Sequence, residues 1–182
     1  MSYVTSAIFT HPKINTCAPS TLGEDCGGEV SVGLIEPYHL PVVGVLQAGA
    51  WMERVDPEKA GTVPVTLDQR YAKRHQYALK VQGQSMNQLV QHGDYVHCVD
   101  WKEVAWELEH EMIIVIQRCW QGLTETTLKQ VEADENGDVI LLSRSDDDQY
   151  RAPITVRNGL ILNDDCEVTI QALVVGHYQP YH

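Results

Sequence analysis

Residues 111–142 constrain the fold more than any other part of this chain. Three β-rich runs, 111–119, 123–132 and 138–142, follow one another with only tight-turn residues between them. Trp120, Gln121 and Gly122 separate the first pair, and Asp134, Glu135, Asn136 and Gly137 the second. Asn-Gly is the strongest short hairpin signal, because both residues accept the positive φ that a two-residue turn demands. Connections this short cannot return the chain for parallel pairing, which needs a crossover of a dozen residues or more. The segment is therefore expected to be an antiparallel meander.

The rest of the chain has the same texture. Residues 40–46 (LPVVGVL), 77–81 (YALKV), 95–99, 154–156 and 168–175 are further strand candidates, rich in β-branched and aromatic residues. A polar connection over 53–75 is punctuated by Pro57, Gly61 and Pro64 and carries a basic group, Arg70, Lys73 and Arg74. A short helix is expected over 86–90, and 101–110 reads equally as helix or loop. Residues 1–40 hold scattered turn formers (Pro12, Pro19, Gly23, Gly27, Gly28 and Pro37) without a sustained helical period. They read as an irregular N-terminal arm, too short for a helix-turn-helix domain. The expected architecture is mostly β, antiparallel sheets and hairpins with few short helices, in one domain spanning 41–182.

Composition narrows the function classes. In 182 residues, 43% apolar side chains suffice for one compact core. The chain carries 25 Asp plus Glu against 13 Lys plus Arg, a formal net charge of −12, which a phosphate backbone repels; direct DNA binding by this chain is not expected. Half of that excess lies between Glu132 and Asp148, which reads as a solvated hairpin tip and loop. No apolar stretch approaches the roughly 20 residues of a membrane-spanning helix, and residues 1–11 show no secretory pattern, so a cytoplasmic protein without membrane contact is expected. Cys17, Cys26, Cys98, Cys119 and Cys166 are odd in number and irregular in spacing, unlike a disulfide framework. Cys17 and Cys26 with His11 and His39 match no common zinc-ligand spacing, so neither metal nor cofactor is expected; a zinc-binding arm is the competing reading.

Two residues could carry chemistry. Ser85 lies between an expected strand and the expected short helix, a place that presents a hydroxyl at a helix N-terminus, beside unpaired N–H groups able to hold an oxyanion. It also fits a capping box with Gln88, a purely structural use of the same hydroxyl. Lys129 shares one strand face with Leu123, Glu125, Thr127 and Val131. Such a lysine is ordinarily solvated; to serve as a base near neutral pH it must lose roughly 3 units of pKa through burial.

Taken in order, these segments resemble the LexA/UmuD family of self-cleaving serine peptidases, which includes phage repressors. Residues 40–52 (LPVVGVLQAGAWM) look like the family's cleavage segment, with its Ala-Gly bond after a short strand. Residues 77–100 are similar to its strand, Gly-x-Ser-Met turn and Gly-Asp strand; 112–132 resemble the paired strands bearing its lysine; 141–156 and 173–176 fit its closing strands. Ser85 stands 36 residues beyond Gly49, and Lys129 a further 44 beyond Ser85. The chain departs from the pattern at Asn87 and Gln88, where a proline is usual, and at His110 and Glu111, which replace a Gly-Asp.

The resemblance implies a Ser-Lys dyad acting on a cleavage segment at 42–52. Lys129 would take the proton of Ser85, Ser85 would attack Ala48, the N–H groups of Gln84 and Ser85 would hold the oxyanion, and Gly49 would leave as the amine. It also implies a homodimer, stimulation by an activated recombinase filament, and either a DNA-binding domain or partner or a UmuD-like role beside a translesion polymerase. The alternative is a non-cleaving dimerisation or protein-binding module on the same fold.

Overall fold

The computed structural model describes residues 37–50, 61–105, 107–133, 135, 137–157, 160–162 and 166–180. Most of the expected arm, with His11, Cys17 and Cys26, lies outside the described residues. All the described residues belong to one compact unit, Glu36–His182. Its strands are β1 (Tyr38–Gln47), β2 (Thr62–Val65), β3 (Gln76–Gln82), β4 (Tyr95–Asp100), β5 (Ile113–Trp120), β6 (Leu123–Ala133), β7 (Val139–Leu142), β8 (Ile154–Arg157), β9 (Leu160–Leu162) and β10 (Glu167–Tyr178).

The expected meander is present. β5 and β6 pair antiparallel from Trp120 opposite Leu123 to Ile113 opposite Gln130. Gln121 and Gly122 close the turn at φ of 49° and 84°, the two positive values that match the twist of a tight hairpin. β7, β8 and β9 extend the ladder, and β10 crosses back to pair with both β5 and β4. The full order is β2-β1-β3-β4-β10-β5-β6-β7-β8-β9, with β1 parallel to β3 and the other pairs antiparallel. The 12-residue β10 thus joins the N-terminal strands to the meander.

Four local expectations change. The strand at Thr62–Val65 sits within what reads as a polar connection; it is an edge strand, where Pro64 opposite His39 withholds no hydrogen bond a neighbour needs. Leu160–Leu162 adds another short strand. Residues 101–110 begin as a single 3-10 turn, Trp101–Glu103. No helix forms over 86–90: Val90 N–H reaches Met86 O, but Gln88 N–H turns across to Arg144 O at 3.0 Å, and the segment is a run of turns.

β1 curls over to lie against β6, and the core closes between them. Leu46, Val81, Met86, Val96, Cys98, Val115 and Leu128 are buried together. Ile114 and Ile116, on the other face of β5, join Val131, Leu141 and Leu173 in a second cluster. A strand covered on both faces reads as a continuous apolar run, which is what residues 112–116 show. β6 differs: Glu125, Thr127, Lys129 and Val131 are all buried, so one face places three polar side chains inside the protein. Buried polar groups require partners, and theirs define the site.

Candidate active site

Ser85 follows β3 on a turn opened by Gly83 at φ 96°, whose N–H donates to His92 Nδ1 at 3.1 Å. Ser85 itself is 7% exposed. The capping box does not form, because the N–H of Gln88 is already committed to Arg144 O. Among the described residues, the Ser85 hydroxyl has no hydrogen-bond partner, and the N–H groups of Gln84, Ser85 and Met86 have no protein acceptor.

The turn is braced from the loop after β7. Ser145 Oγ donates to Gln84 O at 2.7 Å and accepts from Asp147 N–H at 3.1 Å. Asn87 donates to Asp146 Oδ1 and accepts from Asp146 N–H. Arg144 pairs with Glu132 and Gln130. The acidic stretch expected to be a solvated hairpin tip and loop is therefore in part a buttress of the site: Glu132 is paired with Arg144, and residues 144–147 hold the Ser85 turn. Ser145→Ala removes a buried hydroxyl serving two backbone partners, and is expected to cost about 1–3 kcal/mol, read as a lowered urea midpoint.

Ala48 and Gly49 turn away from the end of β1. Ala48 lines one cleft with Leu46, Val81, Ser85, Met86 and Leu128. Gly49 has φ 76°, while a Cβ there would meet only Tyr150 Cε1 at 3.9 Å, so backbone conformation rather than space favours glycine. Its N–H donates to Glu125 Oε1 at 2.6 Å, and Glu125 Oε2 is paired with Arg118 Nη1 at 3.0 Å.

Lys129 is 7% exposed, opposite Ile114 on β5 and next in sequence to Leu128 of the cleft wall. Its Nζ donates to Ser143 Oγ at 2.5 Å. Burial, reinforced by the Arg118 charge and opposed by Glu125, brings its pKa from 10.5 down to about 8. Lys129 is thus not the solvated lysine of an ordinary strand. The structure brings Ala48 and Ser85 into one cleft and buries Lys129 on the adjoining strand; the Ser85 and Lys129 side chains share no hydrogen bond. Cys98 offers no rival nucleophile, since complete burial pushes its thiol pKa up. His39 lies 3.4 Å from Thr62 Oγ1, at the sheet edge.

Glu125, Arg118, Ser143 and Ser145 escape sequence reasoning as site residues. Glu125 carries a legible signal, a carboxylate four residues before Lys129 on the same strand face. Ser145 carries none, because its partner Gln84 is 61 positions away. No curated protein matches the chain. Residues 41–175 match the Peptidase S24-like family, and that span holds the cleft, the Ser85 turn and Lys129. The chain belongs to this family of LexA/UmuD-like self-cleaving serine peptidases.

Proposed function

We propose that the chain hydrolyses its own Ala48–Gly49 bond with a Ser85–Lys129 dyad. The observation that carries this reading is that Ala48 and Ser85 line the same cleft, while Lys129 is buried on β6, which supplies Leu128 to the cleft wall, and has a lowered pKa. Neutral Lys129 has a lone pair for the Ser85 proton and two N–H bonds, one of which can keep its contact with Ser143. Ser85 Oγ then bonds to the Ala48 carbonyl carbon, and the oxyanion is received by the N–H groups of Gln84 and Ser85. The Lys129 ammonium gives its proton to Gly49 N as the C–N bond breaks. Water, deprotonated by Lys129, releases Ala48 from the Ser85 ester.

In this reading the protein is a cytoplasmic regulator of the repressor or UmuD type and works as a homodimer. An activated recombinase filament would stimulate cleavage, and any DNA contact would come through another domain, a partner or a translesion polymerase. Its acidic charge supports that division of labour. The test is the mass of purified chain held at alkaline pH: fragments 1–48 and 49–182 are expected. A chain that stays whole at high pH and with activated filament overturns the reading in favour of a non-cleaving binding module.

A further inference from the structure

The pairing of Gly49 with a buried carboxylate is not required by the dyad. Glu125 is 4% exposed, yet one of its oxygens accepts from Gly49 N–H at 2.6 Å and the other from Arg118 at 3.0 Å. Arg118 stands directly opposite Glu125 in the β5–β6 ladder, so the ion pair is built into the register. A charge-assisted bond this short, inside the protein, is among the stronger single contacts a loop can make.

We infer that Glu125, held by Arg118, is the positioning residue for the scissile peptide: it grips Gly49 N–H and thereby sets the direction of the Ala48 carbonyl. This rests on the proposed cleavage of the Ala48–Gly49 bond. The peptide unit is planar and trans, so its N–H and C=O point in opposite directions. Gripping the N–H at β6 turns the carbonyl oxygen away from Glu125. That separation matters electrostatically, because a buried carboxylate beside the developing oxyanion would oppose the charge that forms there. The same carboxylate then receives the Gly49 amine, which becomes a new chain terminus once the C–N bond breaks. Glu125 also acts on the proposed base: among the described residues, the charges that act on Lys129 are Glu125, which favours its protonated form, and Arg118, which disfavours it, while Ser143 Oγ receives its Nζ.

Glu125→Gln separates these effects. An amide offers one acceptor oxygen where the carboxylate offers two, so it serves Gly49 or Arg118 but not both. The cleavage rate of Glu125→Gln at its alkaline plateau is expected to fall at least about tenfold. The pH midpoint of cleavage is expected to move below that of the wild type, a shift that a merely structural role would not produce. Independently of cleavage, the Gly49 amide is followed by NMR in uncleaved Ser85→Ala protein. Its proton is expected downfield of the other glycine amides and slow to exchange, with exchange at least about tenfold faster once Glu125→Gln is added. A Gly49 amide that is ordinary in shift and fast in exchange overturns the anchor even if the double variant fails to fold. A wild type that cleaves while Glu125→Gln cleaves at the same plateau overturns the positioning role and leaves the dyad standing. A wild type that never cleaves overturns the dyad and the positioning role together, whatever the amide shows.

Discussion

Ser85→Ala is expected to stay whole under conditions that split the wild type completely, a loss of at least about 10³-fold in rate, and Lys129→Ala is expected to match it. In the proposed dyad the two residues act as one unit, so the double variant is expected to lose no more than either single variant. The wild-type rate should depend on pH in a defined way. With the Lys129 pKa near 8, half of the molecules carry the neutral base at that pH. Below it, the neutral fraction and the rate fall about tenfold per pH unit; above it the rate levels off. Fragment yield against time, from pH 6 to 10, measures this. A flat profile, or cleavage surviving in Ser85→Ala, would remove the dyad from consideration.

The second large effect concerns stability. Lys129 has its pKa lowered from 10.5 to about 8 on folding, so below pH 8 the folded protein must hold a buried charge that the unfolded chain leaves in water. The penalty is fully present below about pH 8 and is relieved as pH rises towards 10.5, where the unfolded chain also loses the proton. Its size is about 3 kcal/mol at most. Lys129→Met has similar volume and no charge, and forfeits the hydrogen bond to Ser143, which offsets about 1 kcal/mol. At pH 7, Lys129→Met in a Ser85→Ala background should therefore be about 2 kcal/mol more stable than Ser85→Ala alone. Urea denaturation at pH 7 and at pH 10 tests the sign twice, since the difference should shrink at the higher pH. Equal or lower stability at pH 7 would show that Lys129 is charged in the fold without cost. Such a penalty is what a lysine kept buried at a lowered pKa imposes on the protein that holds it.

Much of the framework was legible because its causes are local. Gln121 and Gly122 can take the left-handed conformation of a tight turn, and the alternation along β6 predicts that Glu125, Thr127, Lys129 and Val131 share a face. The misreadings arise where one segment's hydrogen bonds are taken by another. The 86–90 stretch has helix-compatible residues, but Arg144 O captures the N–H of Gln88, and with it the capping box. The acidic run reads as solvent-facing because its partners, Asn87 and Gln84, are about 60 residues away in sequence. Thr62–Val65 looks too polar and too proline-broken for a strand until it is placed at a sheet edge.

By itself, then, the sequence determined the antiparallel β framework, the Ala48–Gly49 segment, the Gly-x-Ser-Met turn at Ser85 and the strand carrying Lys129, since turn chemistry, side-chain period and motif order are properties of short stretches. The tertiary structure alone decided that Ala48 meets Ser85 in one cleft, that Lys129 is dry enough to lose its proton near pH 8, and that Glu125 grips Gly49. Burial and charge pairing depend on what the curled sheet brings against β6, and those neighbours come from β1, β5 and the loop after β7 rather than from the residues beside Lys129 in the chain.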